Sequence, residues 1–484
     1  KASNTIAKGN PVLVEADGDF AKVSQVSTES SVTYSAGSDT LMNGISIDES
    51  TVSYDKVQDK FLVAYRDAGN GYYGFCRVAT ASNKVLTTGS ESSAFESGVT
   101  MIIDSCYIGD SKHIIFYLNA SSHGKAVVAT VSGDSVSFGT PVTYTYQVVQ
   151  SQGSCYYDEE AGAAVVFGSY NSSQQYLYAC AVTVSGTTIT AGTPNETLDG
   201  YQTNTAHFSS AYDANAKKGV IAWRNTSDDG QLQTLSVSGT TITAGATHNY
   251  NSTDNVTHAK DGLTYDPVSK KCFLLFRDAG TSDYLHGIVV SVSGTAITTG
   301  TKVQIDSVTG SHYFGCQGTD QGGIQIVYRD SSSPYYAKGK IATISGTTFA
   351  LTNSATFTSN AWQAGAPSLA YQSKSGGEYQ VLSIYQQGTN LDLYGFVTIP
   401  EGTVTTITYP LTTENFIGLA DNASSANGFS KVRINGVDAN NSSLTAGQLY
   451  YVRNDGTLSE TAETGKVVEA GKALSATKLL VNTS

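Results

Sequence analysis

The stretch Lys60–Gly69, KFLVAYRDAG, decides the fold. A run of apolar residues ends in an aromatic. Arg-Asp follows, then a turn of small residues. An aromatic returns at the same place at Tyr117, Phe167, Trp223, Phe276, Tyr328 and Tyr385, at intervals from Tyr65 of 52, 50, 56, 53, 52 and 57 residues. No window carries a sustained helical period. Strand-and-turn units repeating at about 50 residues are the pattern of a β-propeller or similar array.

Working outward from that stretch, each unit resolves into four strands, a to d, with the opening motif as strand b. Strand a ends in Tyr-Asp at Tyr54-Asp55, Tyr157-Asp158, Tyr212-Asp213 and Tyr265-Asp266. Strand c alternates, as in AKGKIATIS at 337–345. A Ser-Gly hairpin then leads to strand d, with Gly133, Gly186, Gly239, Gly294 and Gly346 spaced 53, 53, 55 and 52 apart. Four antiparallel strands with regular turn signals make a propeller blade. The expectation is an all-β protein with a seven-bladed propeller of four-stranded blades over residues 26–403.

The last blade, from about Pro367 through YQVLSIYQQG and LYGFVTIPEG, lacks a fourth strand. Ser31–Gly37, SVTYSAG, supplies it: Thr33 lies 21 residues before Tyr54, and Thr190 lies 22 before Tyr212. An N-terminal strand that completes the last blade closes the ring and removes open sheet edges.

Both chain ends carry one phrase. Gly9, Val14 and Asp17-Gly18 match Gly447, Val452 and Asp455-Gly456 at an offset of 438. Each set reads as two strands about an Asp-Gly turn. Residues 1–25 and 404–484 are therefore expected to form one small β module, with the propeller inserted between its halves.

Composition agrees with an all-β chain: 14% charged residues, 48 Gly, 8 Pro and 30 Tyr in 484 residues. A net charge of −13 argues against nucleic acid as partner, because phosphate binding needs clustered Lys and Arg. No apolar run is long enough for membrane insertion. The six cysteines, Cys76, Cys106, Cys155, Cys180, Cys272 and Cys316, fall on predicted strands without a CxxC and read as small buried thiols.

No catalytic constellation stands out. A sialidase would show Ser-x-Asp-x-Gly-x-Thr-Trp turns; the nearest, Ser227-Asp228-Asp229-Gly230, lacks the Trp. No carboxylate pair is marked out by context. There is no HExxH, EF-hand or Walker loop, so no metal or cofactor is expected. His113 and His123 straddle a hairpin and read as exposed polar positions. The Arg-Asp pairs Arg66-Asp67, Arg277-Asp278 and Arg329-Asp330, with Arg224-Asn225 as a variant, could form a cationic rim for an acidic glycan. Their repetition favours a turn device instead, with Asp capping the b–c loop and Arg packing along its neighbour. The candidate contact surface is aromatic. Tyr72-Tyr73 in GNGYYG and Tyr335-Tyr336 in SSPYY occupy equivalent b–c loops, where an outward ring could stack on sugar.

The run ENFIGLADNASS, SLTAGQLYYVRNDGTLSET and VVEAGKALSATKLLV resembles a terminal module of structural proteins from marine tailed phages. The Tyr-Asp, AYRDAGN and VSGTTIT phrases are similar to propeller repeats of the same kind of virion protein. That resemblance implies a fibre, spike or capsid-decoration protein at the virion surface, with no catalytic residues to carry over. It implies other virion proteins and a host-surface glycan as partners, and a homo-oligomer. Leu118-Asn119, Gly168-Ser169 and Gln386-Gln387 depart from the Arg-Asp pattern, which argues against a ligand gripped by all seven units. The alternatives are a secreted glycan-processing propeller enzyme and a cellular adhesin or extracellular filament subunit.

Overall fold

The computed structural model describes residues 6–8, 10–14, 20–23, 33–44, 47–171, 176–196, 198, 208–252, 256–307, 313–320, 322–332, 334–358, 361–373, 379–387, 391–401, 416–423, 431–453, 456–462 and 467–482. The chain gathers into two compact units: Thr33–Glu401, and Lys1–Val32 with Gly402–Ser484. Both are all-β. Helix among the described residues is limited to two single 3₁₀ turns, Ala68–Asn70 and Ala279–Thr281.

The opening motif is the second strand of the first sheet. Ile47–Asp55, Lys60–Asp67, Tyr73–Ser82 and Val85–Thr88 pair in that order, all antiparallel. Its continuous apolar run has a physical reason: both faces are buried. Phe61, Val63 and Tyr65 enter one core cluster, while Leu62 and Ala64 enter the next. Alternate side chains point to opposite faces, so a strand buried on both sides loses the usual polar alternation. Phe61, Leu62 and Val63 each contribute roughly 1.5–3 kcal/mol by burial.

The same a–b–c–d order follows along the chain. Met101–Gly109, Lys112–Leu118, His123–Ser132 and Ser135–Phe138 form the second group. The long strand Val142–Asp158 pairs first with His123–Ser132 and then with Ala163–Tyr170, which continues to Leu177–Ser185 and Thr188–Ala191. Next come Ser209–Asp213, Lys218–Arg224, Gly230–Ser238 and Thr241–Ala244, and then Leu263–Asp266, Lys271–Asp278, Tyr284–Ser293 and Ala296–Thr299. Phe314–Thr319, Gly323–Arg329, Ala337–Ser345 and Thr348–Leu351 form the sixth group. In the last sheet Trp362–Ser373, Tyr379–Gln387 and Asp392–Glu401 pair in order, and Thr33–Ala36 adds to the far edge, Thr33 opposite Glu401. This sheet begins at Trp362, five residues before Pro367, because Trp362 and Ala364 already pair across to Gln387 and Gln386. Each a strand packs on the next one along, and Trp362–Ser373 packs on Ile47–Asp55.

Turn chemistry follows the sequence signals. Gly133, Gly186, Gly239, Gly294 and Gly346 all have φ between 59° and 62°, the first central position of a two-residue hairpin. All six cysteines are free, five of them buried. His113 departs from its expected exposure. It is fully buried, its Nδ1 2.7 Å from Ser53 Oγ, because strand b has no solvent face.

One recurring element is absent from the four-strand repeat. Strand d is short, so half of strand c would be an open edge. The segment after strand d turns back to cover it. Thr40–Asn43 pairs with Asp392–Glu401, His248–Asn251 with Gly230–Ser238, Val303–Asp306 with Tyr284–Ser293, and Ala355–Thr356 with Ala337–Ser345. Aromatics of this link lie on glycines of strand c: Phe95 on Gly74, Tyr144 on Gly124, Tyr250 on Gly230 and Phe357 on Gly339, where a Cβ would collide with the ring.

In the smaller unit, two sheets repeat one register. Leu13 and Val14 pair with Ala21 and Phe20, as Tyr451 and Val452 pair with Ser459 and Leu458, each pair at the 438 offset. Pro11, Val12 and Leu13 face Leu419, Gly418 and Phe416 with a bulge, and Leu449, Tyr450 and Tyr451 face Lys472, Gly471 and Glu469 with the same bulge. Gly418 and Gly471 have φ of 138° and 144°, and a Cβ on either would strike a carbonyl of the next strand. The unit is thus an internally duplicated four-strand motif. Its first copy is interrupted by the whole of Thr33–Glu401. Leu13, Val23, Leu419, Tyr450, Ala473 and Leu479 share one core. The Asp17-Gly18 turn, Gly9 and Asp455 lie outside the described residues.

Candidate functional site

The Arg-Asp ends of the b strands build the b–c loops. Asp67, Asp278 and Asp330 cap their turns: their carboxylates accept from the backbone N–H of Gly69 at 2.8 Å, Gly280 at 3.1 Å and Ser332 at 3.2 Å. Each turn closes on a residue in the left-handed region, Tyr72 at φ 62°, Asp228 at 68°, Asp283 at 64° and Tyr335 at 64°, with Gly71 at 73° and Ser282 at 64° preceding two of them. The arginine of strand b holds that residue's side chain. The Arg66 guanidinium lies 5.1 Å from the Tyr72 ring centroid. Arg329 lies 5.1 Å from the Tyr335 ring and 4.0 Å from that of Tyr313. Arg277 pairs with Asp283 at 3.0 Å, and Arg224 with Asp228 at 3.4 Å. The arginines are therefore loop hubs, as the turn reading expects.

Two of the four hubs display an aromatic. Tyr72 is 43% exposed and Tyr335 37%. Their neighbours Tyr73 and Tyr336 are half-buried; Tyr73 opens strand c opposite Asp67, and the Tyr336 carbonyl accepts from Asp330 N–H at 2.9 Å. The structure places the predicted tyrosines in two equivalent loops and divides each pair into an outward and an inward ring. A non-glycine residue in the left-handed region is strained, and such strain concentrates at functional sites.

At the opposite end of the a strands, the Tyr-Asp signature divides its labour. Asp55, Asp158, Asp213 and Asp266 cap the a–b turns. The tyrosine leans onto the turn of the preceding sheet. Tyr54 Oη donates to the Ser373 carbonyl at 3.3 Å and Tyr371 Oη to Asp320, while Tyr212 and Tyr265 take backbone hydrogen bonds at Glu160 and Asn215. Burial raises the phenol pKa of Tyr54, Tyr212 and Tyr265. Tyr54, Tyr107, Tyr157, Tyr212, Tyr265 and Tyr371 thereby collar a cavity of about 400 Å³.

The cavity is floored by a strap that the sequence did not announce. Between Val256–Thr257 and Leu263–Asp266, residues 258–262 leave the sheet path. Lys260 Nζ donates to the Ser50 carbonyl at 2.8 Å and lies 3.8 Å from Asp104 Oδ1. The Lys260 carbonyl accepts from Ser154 Oγ at 3.4 Å, and the Ala259 carbonyl from Ser209 Oγ at 2.5 Å. Asp261 accepts from Cys316 N–H on its carbonyl at 2.7 Å and from Leu369 N–H on its carboxylate at 2.9 Å. One short strap thus bonds the a-strand region of every other sheet. Burial pushes the Asp261 carboxyl up to about 6, against the pull of Lys260 and with help from Asp104. Asp104 is itself bound by Thr51 Oγ1, Ser105 N–H and Cys155 N–H. Among the described residues no group of three His, Cys, Asp or Glu is placed to hold a metal, and no helix is long and apolar enough to cross a membrane.

No protein-family model matches the chain, and no curated protein matches it. Among solved structures, a Dyadobacter fermentans protein of unknown function aligns at TM-score 0.45 and 11% identity, over 76% of this chain and 99% of its own. A periplasmic gluconolactonase of Pseudomonas aeruginosa aligns at TM-score 0.45 and 12% identity, over 74% and 97%. A fungal lectin of Aleuria aurantia, a six-bladed β-propeller that recognises fucose, aligns at TM-score 0.39 and 10% identity, over 70% and 100%.

Proposed function

We propose that Thr33–Glu401 is a seven-bladed propeller, closed by Thr33–Ala36, that binds glycan at its b–c loops without turning it over. The succession of a-strand contacts, which returns from Trp362–Ser373 to Ile47–Asp55, supports the closed ring, as does the strap. The observation that carries the binding reading is the presentation of Tyr72 and Tyr335. Each is exposed, fixed in a strained backbone position and backed by an arginine. A ring already immobilised loses little conformational entropy when a sugar face stacks on it. Tyr73 and Tyr336 stand beside them as supporting contacts.

In this reading the duplicated terminal module anchors or self-associates the protein on a virion. The propeller is displayed outward as part of a fibre, spike or decoration, in a homo-oligomer with other virion proteins. A glycan array read for retention, with mass spectrometry of the recovered glycans, tests it. Retention with unchanged mass is expected. Cleaved product would replace the binding reading with an enzymatic one, and a blank array would remove glycan as the ligand. Labelled antibody in electron micrographs should decorate particles rather than cell-borne filaments.

A further inference from the structure

We propose that the cup between the tyrosine collar and the Lys260–Asp261 strap binds a small organic cation, carried on a primary or quaternary ammonium group. The site is separate from the b–c loops and does not depend on them. Its volume of about 400 Å³ is that of a small-ligand pocket. Its floor holds two carboxylates, Asp104 and Asp261, against one ammonium, Lys260, so it keeps a negative balance when both are ionised. A cleft with one sign of charge focuses its field on the opposite sign.

The collar adds a second, independent attraction. Aromatic faces draw cations, and one already does so here: Lys56 Nζ stands 5.8 Å from the Tyr107 ring centroid. The a–b turns around the mouth carry Asp59, Asp110, Glu159, Glu160 and Asp320 beside the capping Asp55, Asp158, Asp213 and Asp266, and these carboxylates outnumber the lysines of the same turns, Lys56, Lys60, Lys112, Lys217, Lys218, Lys270 and Lys271. Lys217 is paired with Glu160 at 2.8 Å and Lys112 with Asp110 at 3.6 Å. An anionic ligand would meet this field unfavourably. A neutral ligand of the same shape would gain the rings but not the carboxylates.

Isothermal titration with choline, and with its neutral isostere 3,3-dimethyl-1-butanol, separates these cases. Choline is expected to bind in the millimolar range or tighter, with the isostere about tenfold weaker. Asp261→Asn keeps an oxygen for the Leu369 N–H and should weaken choline about tenfold. Tyr265→Leu should weaken it roughly fivefold while Tyr265→Phe leaves it intact. Tyr72→Gly should not change it. Equal binding of choline and the isostere, no binding of choline, or full choline affinity in both Asp261→Asn and Tyr265→Leu would each overturn the proposal. Loss in Tyr265→Phe equal to that in Tyr265→Leu would also count against it, because the ring face is what is claimed to act.

Discussion

Replacing Tyr72 by glycine and by alanine separates the ring from the strain on which it is mounted. At φ 62° a Cβ is penalised, so Tyr72→Ala keeps the strain and loses the ring, whereas Tyr72→Gly loses both. Left-handed backbone costs an L residue roughly 1–2 kcal/mol, and glycine does not incur it. Against this, glycine's extra freedom in the unfolded chain works the other way by about 0.4–1 kcal/mol. The glycine variant should therefore exceed the alanine variant by about 1 kcal/mol. Tyr73 has the neighbouring position but is not in the left-handed region, so there the order should reverse, with alanine ahead by about 0.4–1 kcal/mol. The site at Tyr335, φ 64°, should repeat the Tyr72 result, and the two should add because they lie in different sheets. Scanning calorimetry of the Thr33–Glu401 transition reads this as a shift of roughly 1–2 °C per site. If alanine matched or exceeded glycine at both positions, the claim that these rings are displayed at a backbone cost would fail.

Three further outcomes follow from the same geometry. Asp261 is raised from 3.8 to about 6, so its contribution is complete below about pH 4 and is lost as pH rises through about 6. Asp261→Asn should match wild type at about pH 4 and become more stable above about pH 7, by about 3 kcal/mol; a variant that is less stable at every pH would contradict the assignment. Lys260→Met cuts the strap from Ser50 and Asp104 and should destabilise the larger unit by about 2–3 kcal/mol in urea unfolding, with no loss meaning that the strap does not brace the a strands. Gly418→Ala and Gly471→Ala occupy matching places in the duplicated module and should lower its melting temperature by similar amounts; harm from one alone would break the equivalence.

Much of the fold was legible because it repeats. Phe61–Tyr65 feeds two cores at once, and the same demand on every b strand prints the same apolar run. The Asp caps and the Ser-Gly hairpins were legible for a similar reason, since each turn needs particular chemistry. The link strands were not. His248–Asn251, Val303–Asp306 and Ala355–Thr356 share a backbone role but no sequence, because they need only pair with strand c. Their trace is a glycine in strand c with an aromatic some twenty residues later, as in Gly74 and Phe95 or Gly124 and Tyr144. The Lys260–Asp261 strap occurs once, and no repeat could reveal it. At the candidate site, the tyrosine pairs were visible in GNGYYG and SSPYY. The arginine hub was visible only as a turn motif, since its partner stands six residues further on in three sheets and four in another, as Tyr72, Asp283, Tyr335 and Asp228.

The most direct measurement compares wild type with the Tyr72→Gly, Tyr335→Gly double variant on a glycan that the wild type retains. Calorimetry on the same samples establishes that both are folded. A displayed-aromatic site predicts at least a tenfold loss of affinity in a variant no less stable than its alanine counterpart. Undiminished affinity in the folded double variant would contradict it.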